Sequence, residues 1–434
     1  MRIAFYTLGC KVNQAETGAL ERLAEGRGHE LVAWTAEADA YVVNTCTVTA
    51  VSDKKSRQAI RGVRRAWPGA LVAVCGCLGQ TSPAALAALG ADLVCGVTDR
   101  EAMLTRLEEL RGHRAAESPL VATRALDRAA FEPLPAGSVA GRARALLKVQ
   151  DGCDNRCTYC VIPVARGPAR SLPLDAARAE AARLAGEGYR EIVITGIEIS
   201  AYGRDLPDAP DLAALAETVC RAAPDTRVRL GSLEPRAVTE DFVARLSVLP
   251  NLCPPFHVAL QSGCDDTLRR MGRRYDTALY ARSLALLRAA FPDCALAADL
   301  ILGFPGEREE DFENTLSFVK ECRFTDMHIF PYSKRLGTPA ADFPDQVPRA
   351  VKQARAARAR ALADEMTRAY DRALVGQTLD VLFEEQTPGG PRGHGQNYRP
   401  VTCPRADGQT LRGQIRPVVV TGVTKDGLLG RLEA

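Results

Sequence analysis

Three cysteines near the middle of the chain constrain its fold and chemistry more than any other feature. Cys153, Cys157 and Cys160 have C-x3-C-x2-C spacing, and the next cysteine along the chain is Cys220. A structural zinc site takes four protein ligands, and an electron-carrying ferredoxin site has a fourth cysteine. A 4Fe-4S cluster on three thiolates keeps one iron open for a small molecule. The spacing therefore predicts a catalytic iron-sulfur centre, with three unrelated thiols as the plainer alternative.

Length and composition indicate a globular chain of several domains. The 434 residues suffice for about three domains, and 46% hydrophobic with 25% charged residues is ordinary for such a protein. No apolar run approaches the roughly 20 residues of a membrane-spanning helix, and Arg2 and Lys11 interrupt the terminus where a signal peptide would be apolar. We expect a cytoplasmic protein without a membrane partner. In that reducing compartment, we expect five of the 14 cysteines to pack as small apolar residues, namely Cys95, Cys220, Cys253, Cys294 and Cys322.

The amino-terminal region repeats a unit made of an apolar strand, a loop with a cysteine and a helical stretch. Such alternation predicts a parallel sheet whose strand-to-helix loops all emerge at one edge. Cys10, Cys46 and Cys77 would then converge as a second three-thiolate site, although 36 and 31 residues separate them. Cysteines at strand ends are otherwise ordinary core residues, and Cys75 is an alternative to Cys77, although it would point into the sheet. Predicted strands lie at 2–6, 40–43 and 71–74, and helices near 15–27, 52–66 and 83–89.

A second alternation of strands and helices begins near residue 143. Six predicted strands fit an open α/β barrel with its active site at the strand ends, and the chain beyond residue 371 has short β-type runs typical of a small β-barrel. The predicted fold class is α/β: an amino-terminal parallel α/β domain, a central open barrel and a carboxy-terminal β-barrel. The predicted boundaries are 1–112, a linker at 113–142, then 143–370 and 371–434. The barrel strands are expected at 145–149, 191–195, 227–230, 257–260, 296–302 and 327–330.

The segment around the central cysteines resembles the radical S-adenosylmethionine methylthiotransferases. Further motifs look like those of the family, in the family's order, so that the resemblance covers nearly the whole chain. These segments are Thr7-Leu8-Gly9-Cys10-Lys11-Val12-Asn13-Gln14, Val43-Asn44-Thr45-Cys46, Gly76-Cys77, Asp151-Gly152-Cys153-Asp154-Asn155-Arg156-Cys157-Thr158-Tyr159-Cys160, Arg166-Gly167-Pro168-Ala169-Arg170-Ser171, Gln261-Ser262-Gly263, Gly303-Phe304-Pro305-Gly306-Glu307 and Tyr332-Ser333-Lys334-Arg335.

Within the family, the chain is similar to the branch that modifies threonylcarbamoyladenosine, the tRNA purine 3′ of the anticodon. Sister branches act on isopentenyladenosine in tRNA or on an aspartate of a ribosomal protein, and the isopentenyladenosine branch usually has Gln-Met where this chain has Lys11 and Val12. Two residues depart from the family pattern. Gly79 replaces an Ala near the third amino-terminal cysteine, and Cys264 replaces a Ser.

The resemblance implies two 4Fe-4S clusters and S-adenosylmethionine as cofactors, with an electron donor protein as a partner. The central cysteines would hold the cluster that generates the radical. Cys10, Cys46 and Cys77 would hold an auxiliary 4Fe-4S cluster that supplies or relays sulfur. Because an unactivated aromatic C–H carbon offers no handle for acid-base or nucleophilic catalysis, we assign no catalytic acid or base.

Three residues near the ends of predicted barrel strands are candidate contacts of S-adenosylmethionine. Glu198 follows the second strand, at the level where radical enzymes of this type hold the methionyl amine; the alternative is an N-cap or a surface acid. Ser232 and Gln261 end later strands and could line either the cofactor or the substrate.

The resemblance also implies that the partner is tRNA, bound at its anticodon stem-loop. The terminal barrel resembles an RNA-binding TRAM domain, in which Tyr398 could stack on a base or fill the barrel core. Basic clusters would contact phosphates. A non-enzymatic iron-sulfur RNA-binding protein is the alternative from another functional class. The clusters contain Lys54, Lys55, Arg57, Arg61, Arg64 and Arg65, and Arg269, Arg270, Arg273 and Arg274.

Overall fold

The computed structural model describes residues 1–112, 119–127, 129–137, 143–404 and 411–433. Residues 113–118, 128 and 138–142 of the predicted linker lie outside the described residues. The predicted α/β fold class is confirmed: a parallel α/β unit, an open barrel and a closed β-barrel follow one another along the chain. In the part of the chain that the structure describes, no helix has the length and apolar character needed to cross a bilayer.

The amino-terminal unit is a six-stranded sheet with the order β2-β1-β3-β4-β5-β6, in which every pair of neighbours is parallel. Apolar residues alternate between its two faces, because successive side chains of a strand point in opposite directions, and helices cover both faces. The elements are β1 (Arg2–Thr7), α1 (Lys11–Gly26), β2 (Glu30–Val32), β3 (Ala40–Thr45), α2 (Ala50–Ala66), β4 (Leu71–Gly76), α3 (Cys77–Thr81), α4 (Pro83–Ala87), β5 (Leu93–Cys95), α5 (Arg100–Gly112) and β6 (Leu120–Ala122).

The central unit contains the six predicted barrel strands, and their pairing is parallel throughout. Gly231 separates β11 from β12, so two sheets with the orders β11-β10-β7 and β12-β13-β14-β15 follow each other around an open barrel. The elements are β7 (Arg144–Lys148), β8 (Gln150–Asp151), α6 (Ile162–Arg166), β9 (Arg170–Ser171), α7 (Leu174–Gly186), β10 (Glu191–Thr195), α8 (Leu212–Ala222), β11 (Arg227–Leu230), β12 (Ser232–Leu233), α9 (Glu240–Ser247), β13 (Phe256–Val258), α10 (Asp265–Arg270), α11 (Thr277–Ala290), β14 (Leu296–Leu302), α12 (Glu309–Cys322), β15 (Asp326–Pro331) and α13 (Arg349–Ala373).

The terminal unit is a closed five-stranded barrel with the order β16-β17-β18-β20-β19. Closure leaves no free sheet edge, and its core contains Val381, Phe383, Val401 and Val418. The strands are β16 (Thr378–Thr387), β17 (Gly390–Gly395), β18 (Pro400–Thr402), β19 (Ile415–Thr424) and β20 (Gly427–Leu432).

Candidate iron-sulfur and substrate site

The loop of the central cysteines is fixed at both ends by backbone contacts. Gly152 has φ +71°, and a Cβ there would lie 1.9 Å from the carbonyl oxygen of Pro168, so the entry to the loop requires glycine. The amide of Cys153 donates to the carbonyl of Gly167 at 3.1 Å. Thr158 donates from its amide to the carbonyl of Met271 at 3.0 Å, which fixes the far side.

The sulfurs of this loop face hydrogen-bond donors. Arg273 donates from Nη1 to Cys157 Sγ at 3.2 Å, and the amide of Asn155 donates to Cys153 Sγ at 3.5 Å. Burial raises the pKa of the Cys153 and Cys160 thiols to about 12, so ligation to iron would have to displace their protons. Three thiols with a guanidinium beside them suit an anionic iron-thiolate cluster. Arg273, which the sequence placed in a predicted phosphate-binding cluster, therefore contacts the cysteine loop.

Glu198 lies beside the same loop. Its Oε2 accepts from the side chain of Asn155 at 3.4 Å, and its Oε1 accepts from the amide of Ser200 at 3.3 Å, so Glu198 also caps the 3-10 turn Ile199–Ala201. Burial and the nearby carboxylate of Glu234 raise the pKa of Glu198 to about 7. The position suits the predicted contact with S-adenosylmethionine, and that role stays a prediction.

The other two candidate cofactor contacts lie elsewhere along the strand ends. Ser232 is hydrogen-bonded through its hydroxyl to Nδ1 of His257. Gln261 has φ +68°; its amide donates to the carbonyl of Asp299 at 2.8 Å, and its carbonyl accepts from Ile301 at 2.9 Å. A contact of either side chain with S-adenosylmethionine stays a prediction.

The structure brings the loops of Cys10, Cys46 and Cys77 together at the carboxyl edge of the amino-terminal sheet. A Cβ built on Gly9 would lie 2.9 Å from Cys46 Sγ, which shows how closely the first two loops approach. Gly76 has φ +89°, and a Cβ there would lie 2.4 Å from the carbonyl oxygen of Thr45, so only glycine allows the turn into Cys77. Binding of a cluster by Cys10, Cys46 and Cys77 stays a prediction.

Cys77, and not Cys75, faces the other thiols, because Cys75 lies in the sheet core and Gly79 lets the helix that begins at Cys77 pack closely. Cys75 is fully buried on β4, in the core between the sheet and its helices, as its place in the predicted strand suggested. Gly79 lies on α3, and a Cβ there would lie 2.2 Å from the carbonyl oxygen of Cys95. In this chain the glycine therefore allows α3, and with it Cys77, to lie against β5.

Arg166 links Cys77 to the start of the central cysteine loop. Its side chain is fully buried. It donates from Nε to Cys77 Sγ at 3.3 Å and from Nη2 to Asn13 Oδ1 at 2.7 Å, and Cys10 Sγ lies 3.9 Å from that same oxygen. Its Nη1 donates to Asp151, two residues before Cys153, at 2.9 Å. One guanidinium thus contacts both cysteine-bearing regions.

The surroundings of Arg166 hold more buried cations than buried carboxylates. Glu16 and Asp151 lie among four buried cations, and Glu132 adds a partly exposed carboxylate beside one of them. Burial works against ionisation, but the cations lower the pKa of both Glu16 and Asp151. Burial raises the pKa of the Cys77 thiol to about 12, and the Arg166 guanidinium acts in the opposite direction, so the buried positive charge offsets part of the cost of a thiolate ligand there. The cations are Arg100, Lys148, Arg166 and Arg170.

A further group of polar residues lines the barrel interior. On β14, Leu296, Ala298, Leu300 and Leu302 pack against the helices, so Asp299 points inward. His257 Nε2 and His328 Nδ1 lie 3.2 Å and 3.5 Å from Asp299 Oδ1. Sequence reasoning missed this group; its signal was an aspartate among the apolar residues of a predicted strand.

Another part of the interior contains cations around Tyr398. The ring of Tyr398 lies beneath Arg144 and Arg229, at 5.1 and 5.0 Å from its centroid, and Lys11 Nζ lies 5.8 Å away. Both arginines pair with the buried Glu191, at 2.6 and 2.8 Å. Tyr398 is therefore neither in the core of the terminal barrel nor isolated on its surface, but lies where that barrel meets the open one.

Comparisons with known proteins agree with these features. Residues 147–319 match the Radical SAM superfamily, and residues 2–96 match the Uncharacterized protein family UPF0004. The threonylcarbamoyladenosine tRNA methylthiotransferase MtaB of Bacillus subtilis is 41% identical over 88% of this chain and 85% of its own. The tRNA-2-methylthio-N(6)-dimethylallyladenosine synthase of Frankia alni is 36% identical over 87% of this chain and 76% of its own.

A solved structure shares the fold. The radical S-adenosylmethionine methyltransferase TsrM from Kitasatospora setae superposes with a TM-score of 0.56 at 18% identity, over 78% of this chain and 74% of that one. The superfamily implies S-adenosylmethionine and a 4Fe-4S cluster as cofactors, which the thiols of the central loop fit. Both matched regions and the relatives, which span most of the chain, lead to one conclusion: the chain belongs to the radical S-adenosylmethionine methylthiotransferases and is an enzyme of that family.

Proposed function

We propose that this enzyme acts in the cytoplasm and adds a methylthio group to C2 of N6-threonylcarbamoyladenosine in the anticodon stem-loop of tRNA. The observation that carries the proposal is the contact of Arg166 with Cys77 and Asp151, because it joins a second three-thiol set to the central cysteine loop. Relatives named for this modification, at 32–41% identity, support the choice of substrate.

In this proposal each three-thiol set holds one 4Fe-4S cluster. Cys153, Cys157 and Cys160 hold the first, beside Glu198, which binds the methionyl amine. Cys10, Cys46 and Cys77 hold the second. When bound, one S-adenosylmethionine would supply the radical that takes the hydrogen from C2 and a second would supply the methyl group, while the clusters would supply the electron and the sulfur that turn C–H into C–S–CH3. Arg273 and Arg166 donate to the ligand sulfurs of Cys157 and Cys77, and an electron donor protein is the remaining partner.

Iron counting tests the two cluster sites separately. Reconstituted enzyme should hold about eight irons, four for each cluster. Cys157→Ala and Cys77→Ala should each lose about half of them. Cys220→Ala is the matched control, since Cys220 is also a buried thiol but lies in the barrel core, and it should keep the full content. Loss of iron in C157A alone would refute the second cluster.

A nucleoside assay tests the substrate. The enzyme is incubated with S-adenosylmethionine, reductant and tRNA that carries either threonylcarbamoyladenosine or dimethylallyladenosine, and the digested nucleosides are weighed by mass spectrometry. We expect the methylthio mass increment on the first substrate. Modification of dimethylallyladenosine alone would reassign the enzyme to the other tRNA branch, which relatives such as the Frankia alni protein represent. Modification of neither tRNA would refute both assignments.

A further inference from the structure

Lys11 is placed to act on a molecule inside the barrel. It is the first residue of α1 and follows Cys10 directly. Its Nζ lies 5.8 Å from the centroid of the Tyr398 ring, and Arg144 of β7 and Arg229 of β11 lie over the same ring and pair with Glu191 of β10. On β10 and β11 the sequence neighbours of Glu191 and Arg229 pack against the helices, so the two charged side chains face the interior. These neighbours are Ile192, Val228 and Leu230. The amino-terminal unit thus brings a cation to the open side of the barrel.

Lys11 differs from the other charges near it in its pairing. Glu191 is bonded by two arginines, and Arg229 also donates to the carbonyls of Gly395 and Gln396 at 2.9 and 2.8 Å. Asp299 lies between two histidines. Across the described residues, Lys11 makes only the cation-π approach to Tyr398 and no hydrogen bond or ion pair. Among the charged residues around Tyr398 and Asp299 named above, Lys11 is therefore the cation without an anionic partner.

We infer that Lys11 is a specificity-determining residue that binds the carboxylate of the substrate's threonylcarbamoyl group. The inference rests on the proposed function. Threonylcarbamoyladenosine carries a free carboxylate on its modification, whereas the dimethylallyl group is wholly apolar. An ammonium group binds a carboxylate strongly when the pair is shielded from water. An apolar dimethylallyl group would give the ammonium no compensating contact. Binding that group would also remove hydrating water from the ammonium, which costs free energy.

The paired arginines are poorer candidates for this contact. Either arginine would have to give up its ion pair with Glu191, which is fully buried and would lose one of its two partners. Within the described part of the chain, Lys11 has no ion-pair partner to lose. Its flexible side chain extends from the first position of α1. Binding a carboxylate there therefore breaks no existing ion pair.

The test compares two anticodon stem-loop RNAs that differ in one group. One carries threonylcarbamoyladenosine, and in the other the threonine carboxylate is converted into the neutral amide. We expect wild-type enzyme to show kcat/KM about 10- to 100-fold higher for the acid than for the amide, the range for a hydrogen bond to a charged group. In Lys11→Gln the preference should fall to about twofold or less through loss on the acid RNA, and Lys11→Arg should keep most of it.

Lys320→Gln is the matched control, because Lys320 is exposed on α12, outside the barrel; it should retain the wild-type preference. The iron content of each variant shows whether the change at Lys11 has disturbed Cys10. Equal wild-type activity on acid and amide would overturn the inference without recourse to any variant, as would an unchanged preference in K11Q. Failure of wild-type enzyme on both RNAs would instead refute the proposed function.

Discussion

Arg166 donates a hydrogen bond to the sulfur of Cys77 at 3.3 Å, although 89 residues separate the two. The same guanidinium bonds Asp151 at the start of the central cysteine loop. The fully buried charge of Arg166 therefore lies next to the amino-terminal thiol set and also next to the loop of Cys153, Cys157 and Cys160. This arrangement makes the charge of Arg166, and not only its size, important to both sites.

Replacing Arg166 by methionine should destabilise the protein strongly. The change leaves Glu16 and Asp151 buried with one cation fewer, and removing one partner of a buried ion pair typically costs about 3–5 kcal/mol. Urea unfolding of the iron-free protein measures this loss. Arg178→Met is the matched control, since Arg178 and its partner Asp175 are largely exposed, and it should cost less than about 1 kcal/mol. Equal costs for the two variants would contradict the role of the buried network.

Gly76→Ala should disturb the auxiliary site. The new methyl group would meet the carbonyl oxygen of Thr45 at 2.4 Å, and φ +89° is unfavourable for alanine, which together should cost more than about 1 kcal/mol. Gly62→Ala is the control, because Gly62 lies within α2 and has nothing within 4 Å; it should be neutral or slightly stabilising. Iron content and urea midpoints are measured for both. Full iron content in G76A would show that the turn tolerates a side chain.

The pKa of His328 should lie above its ordinary value of 6.5, because its ring bonds to Asp299. A raised folded pKa stabilises the protein fully below about pH 6.5, and this contribution is lost as pH rises through the folded value. The imidazole is more than half exposed, so the effect on stability should be well under about 1 kcal/mol. Histidine-selective NMR titration of iron-free protein measures the pKa directly, and Asp299→Asn should lower it. An unchanged titration in D299N would contradict the contact.

Arg335 should hold the barrel against the amino-terminal unit close to Cys46. Its Nη2 donates to Asp53 and to Thr47, each at 2.7 Å. In Arg335→Met, amide hydrogen exchange at residues 47–53 should accelerate by roughly tenfold, the factor that corresponds to about 1.4 kcal/mol. Arg274→Met, at an exposed position in the barrel, should leave that exchange unchanged. Faster exchange in both variants would point to general destabilisation.

Sequence patterns predicted the strands that carry motifs, because apolar runs and alternation are local properties. The six barrel strands and β1, β3 and β4 all lie where expected. The segment Gly390–Gly395 was missed, since its composition disfavours a strand; closure of the terminal barrel imposes that conformation. At Gly393 the reason is visible, because a Cβ there would lie 1.9 Å from the carbonyl oxygen of Leu382.

Within the candidate site, sequence reasoning predicted the cysteines and Glu198 as ligand and cofactor contacts but assigned no role there to Arg166 or Arg273. Arg273 looked like part of a phosphate-binding cluster, and nothing local distinguished it from Arg274. Arg166 meets Glu16 across 150 positions of sequence. Such pairs arise from tertiary packing, and neither periodicity nor spacing in a single sequence encodes them.

The sheet topology also sets an order of assembly. Cys153, Cys157 and Cys160 lie within eight residues of sequence, so even an unfolded segment can present them together at little entropic cost. Cys10, Cys46 and Cys77 meet only when β1, β3 and β4 have paired in register. A nascent or damaged chain without that sheet would retain the local thiol set alone. The amino-terminal thiol set is therefore complete only on a correctly folded sheet, so its state reports on the folding of that whole domain.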